Sequence, residues 1–252
     1  DSIFSSQCFD QKSFAWMRAL LGRLIFDTGS LDDWQIAMYI KGIAASGKST
    51  ILRVFSEIYE KVDIGFLSDD TETTFCDQHL IDAKIVFALD VTEKFRLSSS
   101  RFNSYVSGEE VLIARKYKTA ISKVWTAPLV FASNIDPPIA SRAGSGARRL
   151  CIFTFEHPVL KSDPTLMMKC RKELPVFLIR CVRQYHDMLR LYGDMSLWEN
   201  DTILPAQCHR AKMEYMISCC PFIGFMQFEL ENGGINIDPC KTISVAVLNR
   251  KF

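Results

Sequence analysis

"YIKGIAASGKST", residues 39–50, is the stretch that decides the fold of this chain. Gly42 is followed by four residues and then by Gly47, Lys48 and Ser49, with Thr50 extending the run. That is the G-x-x-x-x-G-K-[ST] spacing with which a backbone wraps a phosphate chain. In such a loop the amide N–H groups point at the β-phosphate, Lys48 neutralises β and γ oxygens, and the Ser49 hydroxyl binds Mg²⁺. "WQIAMYI" before it reads as a strand and "STILRVFSEIYE" after it as a helix, which separates a phosphate loop from a plain glycine turn. The expected nucleotide contacts are therefore Gly42, Ala45, Ser46, Gly47, Lys48, Ser49 and Thr50, with ATP and Mg²⁺ as the ligands.

Working outward, short apolar runs alternate with helical stretches from residue 35 to residue 158, which predicts a mostly parallel sheet flanked by helices. "KSFAWMRALLGRLIFD" (12–27) has helical spacing and forms a lead-in ahead of it. "LMMKCRKELPVFLIRCVRQYHDMLRLYG", running through Pro175, begins a helical tail. The predicted division is a lead-in over 1–33, a core over 34–158 and a mostly helical region over 159–252. No internal repeat or low-complexity tract interrupts it.

A phosphate loop needs an acid at the end of a neighbouring buried strand to hold the metal and polarise water. "KIVFALD" supplies Asp90, whose plain alternative role is to cap the following helix. Glu93, three residues on, is a candidate to orient the attacking water, or else an exposed glutamate at a helix start. Many ATPases of this kind place paired acids here; Leu89 takes the first of those positions and leaves the general base open. "APLVFASN" ends in Asn134, an amide able to position water and sense the γ-phosphate, although an Asn before "IDPP" also forms turns. In "SRAGSGARRLCIFTF", Arg148 and Arg149 arrive at the start of an apolar strand. They are candidates for a guanidinium given to a neighbouring subunit's γ-phosphoryl group, with Arg142 a weaker third.

Between the acid and Asn134, "EVLIAR" and "AISKVW" flank "KYKT" and predict a hairpin with Lys116, Tyr117 and Lys118 at its tip. Paired lysines around an aromatic can hold a phosphate backbone and stack on a base, although basic tips are more often only solvated.

Bulk properties narrow the field. Lys plus Arg is 30 and Asp plus Glu 29, so a net charge of +1 makes no global case for a polyanion partner, and any nucleic-acid contact must be local. Nine cysteines are an odd number without the dense spacing of a disulfide scaffold, which fits a reducing, intracellular setting. No apolar run approaches the roughly 18 to 20 residues of a membrane span, so no membrane partner is expected. A start at Asp1 without methionine and an end at "NRKF" read as an excised piece of a longer protein.

In this order, the phosphate loop, the acid-ended strand, the lysine-bearing hairpin, "FASNIDPP" and "ARRLCIFTF" resemble the superfamily 3 helicases of DNA viruses and plasmids. "YVSGEEVLIARKYK...VWTAPLVFASNIDPP" is most similar to the helicase part of poxvirus-type primase-helicases of large DNA viruses and related mobile elements. The resemblance spans residues 35–157; the tail pattern "ELPVFLIRCVRQY...W...LP" fits more loosely. It implies an AAA+-type ring, usually a hexamer, that hydrolyses ATP between subunits and draws one DNA strand through its pore, typically 3′ to 5′. Carried over, Lys48 and Ser49 bind phosphate and Mg²⁺, Asp90 holds the metal and Asn134 senses the γ-phosphate. One of Arg148 and Arg149 acts in trans, and Lys116 with Lys118 grips single-stranded or forked DNA. The same resemblance implies work at the site of viral DNA replication in the host cell, and leaves open a primase domain in the same longer chain. One hairpin per subunit, repeated around a pore, reconciles near-neutral charge with a DNA substrate.

Three rivals share the loop. An RNA-virus ATPase of the same superfamily tends to carry a basic membrane helix and a zinc site. The helix at 12–27 has few basic residues, and Cys208, His209, Cys219 and Cys220 lack paired C-x-x-C spacing. A nucleotide-binding assembly or packaging module would need neither the hairpin nor the arginines. A small-molecule kinase uses its arginines in cis and fits "NIDPP" poorly.

Overall fold

The computed structural model describes residues 2–69, 76–80, 82–95, 97–140, 146–160 and 163–232. A short helix α1 (Ser2–Ser5) leads to α2 (Gln11–Arg23), whose Asp10 cap accepts a hydrogen bond from the Ser13 N–H at 2.6 Å. Strand β1 (Ala37–Gly42) runs into the loop and then α3 (Lys48–Ser56). Next come β2 (Ile64–Leu67), β3 (Ile85–Leu89), a two-residue β4 (Leu97–Ser98) and α4 (Ser99–Ser107). The hairpin is β5 (Glu110–Arg115) with β6 (Lys118–Val124), and the sheet resumes with β7 (Leu129–Ser133). A two-residue β8 (Ile139–Ala140) precedes β9 (Leu150–Phe155). Helices α5 (Leu166–Tyr192), α6 (Ala206–Cys219) and α7 (Pro221–Glu231) close the described chain.

The predicted alternation is the observed architecture: an α/β fold with a five-stranded sheet in the order β2-β3-β7-β1-β9, parallel at every pairing. Continuous apolar runs form these strands because both faces are covered. Side chains alternate with period two, so Met38 and Ile40 face one cluster and Ala37 and Tyr39 the other. Val130 and Ala132 against Leu129 and Phe131 in β7, and Phe153 against Ile152 in β9, repeat the division.

The first cluster packs α2, α3 and α5 on one face; the second packs α4, the hairpin base and part of α6 on the other. Helices α2 and α5 touch backbone to backbone at Gly22, where a Cβ would lie 2.3 Å from the Cys181 carbonyl oxygen. Their contact buries an ion pair: Arg23 donates to Asp32 at 2.7 and 2.9 Å, and Tyr185 Oη donates to the same carboxylate at 2.5 Å. The lead-in is shorter than its hydrophobic spacing suggests, because the helix ends at Arg23 and residues 24–27 pack as turn. Among the described residues no helix is long and apolar enough to cross a membrane.

Candidate functional site

Parallel strands deliver their C-terminal ends to one rim, and loops leaving β1 and β7 in different directions open a crevice there. Register fixes the rim: Lys41 pairs with Ser133, and Leu89 with Ala132, so the loop after Gly42, Asp90 and Asn134 all emerge together. Gly42 must be glycine, since a Cβ would sit 2.2 Å from the Phe155 carbonyl oxygen on β9. Gly47 takes φ +94 at the start of α3, a conformation side chains avoid. Ala45 is left-handed as well, at φ 58, a strained turn held by the hydrogen bond from the Val159 N–H to its carbonyl at 2.9 Å.

Lys48, only 5% exposed, has its ammonium fully engaged. It donates to the carbonyls of Gly42 at 2.8 Å and Ile43 at 2.6 Å, and to Asn134 Oδ1 at 2.8 Å. Burial lowers the affinity of this amine for its proton, partly offset by the negative charge of Asp90. Ser49 and Thr50 stand half-buried in the first turn of α3, beside Lys48.

Asp90 is exposed and adopts φ 50, with its N–H bonded to the Ala132 carbonyl at 2.8 Å. The left-handed turn lifts the carboxylate off the end of β3 toward a cavity of about 410 Å³ lined by Asp90, Glu93, Lys94 and Asn134. Ser133 Oγ donates to the Val91 carbonyl at 2.7 Å, lacing the acid loop to the tip of β7. Lys41 pairs with Asp136 at 2.5 Å and Tyr39 Oη donates to the Ile135 carbonyl at 3.0 Å, which anchor the segment after Asn134. Glu93 lies on the same cavity wall and is exposed; Leu89 is half-buried in the sheet and brings no acid.

The two arginines part company. Arg149 is 8% exposed and donates to Gln35 Oε1 at 3.0 Å and to Ser107 Oγ at 2.5 Å, tying β9 to residues before β1 and to α4. Arg148, in the same 3₁₀ turn (Ala147–Arg149), is exposed, and among the described residues its guanidinium has no partner. Arg142 lies outside the described residues.

The hairpin forms as the sequence predicts, with a tighter tip: β6 starts at Lys118, so Lys116 and Tyr117 make the turn and Lys118 pairs with Arg115. Tyr117 is 93% exposed at φ 60, with the Lys116 ammonium 5.6 Å from its ring centre. The Lys116 N–H donates to Gln78 Oε1 at 2.8 Å, and Tyr105 stacks on Trp125 at 3.8 Å beneath the base. Of the zinc candidates, Cys208 is buried at 3.7 Å from Cys151, and Cys219 is eleven residues further along α6, roughly 16 Å away by helical rise. No group of three metal-ligating side chains occurs among the described residues.

Sequence reasoning missed Gln7. Its buried amide donates to the Ser46 carbonyl at 3.0 Å and to the His157 carbonyl at 2.7 Å, and accepts from the His157 N–H at 3.1 Å. The lead-in is thereby stitched to the phosphate loop and to the end of β9. A polar residue in an unremarkable stretch carries no local signal of such a role. Beside this stitch, Ile3, Ser6, Gly47, Thr50, Val159 and Leu166 help line a second cavity of about 510 Å³.

Residues 40–149, less than half of the chain, match the family described as "Family of unknown function (DUF5906)". No curated protein matches the chain. Among solved structures, the A form apo structure of the NrS-1 C terminal region superposes at a TM-score of 0.61 with 12% identity, over 98% of this chain and 59% of that one. The apo structure of NrS-1 C terminal region (305–718) gives 0.58 and 14%, over 81% and 50%. The A form of that same region gives 0.56 and 13%, over 81% and 49%. At this identity the likeness speaks for the fold, a phosphate-loop type α/β architecture, and the chain spans half to three-fifths of those proteins.

Proposed function

We propose that this chain is a subunit of an ATP-driven ring, most simply a hexamer, that moves on single-stranded DNA and unwinds duplex DNA during replication of a virus or mobile element. The observation that carries the reading is the convergence of Lys48, Asp90 and Asn134 on one rim of the parallel sheet, next to a glycine-gated loop at a helix N-terminus. The residues fit a nucleoside triphosphate. The loop turns through Ala45 and Gly47 in left-handed conformations, Gly42 leaves no room for a side chain, and an ammonium waits on carbonyls it can exchange for phosphate oxygens.

In this reading Lys48 and the loop amides hold the phosphates, and the cavity of about 510 Å³, lined by Ile3, Val159, Leu166 and Met167 together with Arg53 and Asp163, receives base and sugar. Ser49 and Asp90 would hold Mg²⁺, whose charge offsets that of the phosphate oxygens. Asn134 positions water at the γ-phosphate. With Asp90 assigned to the metal and Leu89 at the other position, Glu93 is the second acid of the cavity wall and accepts the water's proton. Arg148 serves a neighbour's site, because Arg149 is spent within its own chain. The exposed Tyr117 between Lys116 and Lys118 suits a sugar-phosphate strand with a base to stack, which favours DNA unwinding over a packaging or switch role.

The test is ATP hydrolysis as a function of protein concentration, with and without single-stranded DNA, and with Lys48→Ala as the blank. A rate that climbs steeply with concentration and is raised by DNA supports shared sites in a DNA motor. A rate linear in protein and indifferent to DNA leaves the nucleotide site standing and removes the helicase.

A further inference from the structure

Arg148 has a geometric problem. Its guanidinium must reach across a subunit boundary, yet its own side chain is held by nothing described, so its aim depends on the main chain beneath it. Arg149 N–H bonds the Gly146 carbonyl at 2.9 Å and closes the turn from inside. The other anchor comes from fifty residues away: Trp198 Nε1 donates to the Arg148 carbonyl at 2.7 Å. Trp198 lies in the connection between α5 and α6, where an indole N–H could equally well face water.

The ring itself is clamped. Lys212 places its ammonium 3.9 Å from the ring centre, and His209 meets the ring edge-on at 5.2 Å and 88°, both from α6. Asp201 stands 3.5 Å from His209 Nδ1 and offsets the positive charge gathered there. Helix α6 packs along β9 and against the 3₁₀ turn of Arg148 and Arg149 that precedes it, so ring, helix and turn form one unit. Burial of Lys212 and His209 beside the indole lowers the affinity of both for a proton, which fits groups committed to packing more than to solvent.

We infer that Trp198 is a positioning residue for Arg148: its indole N–H fixes the main chain from which the guanidinium is presented to the next subunit, and Lys212 with His209 fixes the indole. The inference rests on the reading that Arg148 acts in trans. A displacement of about 1 Å in a positioned group can cost on the order of 100-fold in rate, so a lost anchor should be read in turnover and not in nucleotide affinity.

The experiment is subunit mixing. Trp198→Phe keeps an aromatic ring for Lys212 and His209 and removes only the N–H. Expected for it alone is a kcat lower by about 10- to 100-fold, with affinity for N-methylanthraniloyl-ATP within about twofold. Added Lys48→Ala subunits, dead in their own sites but carrying an intact Arg148, should restore hydrolysis above the sum of the two separate rates. Arg148→Ala mixed with Lys48→Ala is the reference pair. Restoration in the reference pair without any loss in Trp198→Phe, or with a loss that mixing does not repair, overturns the inference and leaves the trans arginine in place. No restoration in the reference pair overturns the trans reading itself, and the inference with it. If Trp198→Phe unfolds by circular dichroism, Lys212→Ala at its half-exposed position decides the matter: a kcat loss repaired by the same mixing supports the anchor, and an unchanged kcat overturns it.

Discussion

Lys48 Nζ and Asn134 Oδ1 lie 2.8 Å apart across 86 residues of chain. The ammonium of the loop after β1 and the amide at the tip of β7 thus restrain one another. In the proposed function a γ-phosphate would take the ammonium and free the amide, and would so link occupancy of the loop to the position of the segment after β7, itself anchored by the Lys41–Asp136 pair.

If the proposed ATPase reading holds, replacement of Asn134 by alanine should separate sensing from binding. Loss of one positioned polar group typically lowers turnover about 100-fold or more, and that is the expected fall in kcat. Affinity for ADP should be unchanged or slightly tighter, because Lys48 no longer has to leave a partner. A tenfold weakening of ADP with kcat retained would make Asn134 a ground-state binding group instead.

The two arginines should behave differently. Arg149→Ala removes the bonds to Gln35 and Ser107 and should lower unfolding stability by about 1–3 kcal/mol, read as an earlier urea midpoint. Arg148→Ala should leave that midpoint in place and lower kcat by roughly 10³-fold. The reverse pattern would exchange their assignments.

At the hairpin, Lys116→Ala with Lys118→Ala should weaken single-stranded DNA binding and also flatten its salt dependence. Each phosphate contact contributes a slope of about 0.7 in log K against log salt for single strands, so loss of two should reduce the slope by roughly 1.4. Fluorescence anisotropy from low to high salt reads it. An unchanged slope would mean that the lysines are only solvated, as most basic hairpin tips are.

Acid stability should report the buried pair between α2 and α5. Burial pushes the Asp32 carboxyl up, but the Arg23 charge and the hydrogen bonds from Arg23, Tyr185 and the Trp34 N–H outweigh it and hold the group below its ordinary value of 3.8. A depressed carboxyl contributes stability that is present in full above 3.8 and is lost as pH falls through the lower, folded-state value. Asp32→Asn should therefore cost about 3–5 kcal/mol at neutral pH, since Arg23 is left buried without its counter-charge. It should also flatten the decline of the urea midpoint below pH 3.8. An acid limb as steep as that of the unaltered chain would mean that other carboxylates set it.

Local pattern alone was enough for much of this protein. Gly42, Gly47 and Lys48 announce a phosphate loop because the conformations it needs are restricted to few residue types, and unbroken apolar runs at 37–40, 85–89 and 129–132 announce strands covered on both faces. The hairpin was legible as two β-prone runs around a polar turn, except that Lys118 joined the strand, since a two-residue turn closes the register with Arg115. Tertiary structure decided the rest. Which arginine is left without a partner among the described residues depends on Gln35 and Ser107 reaching Arg149, and no spacing near residue 149 encodes residues 42 and 114 positions away. Gln7 and Trp198 belong to the same class: each acts through a side-chain hydrogen bond to a distant main-chain carbonyl. A main-chain carbonyl is the same at every residue, so such contacts leave no mark on the partner's sequence and exist only once the chain is folded.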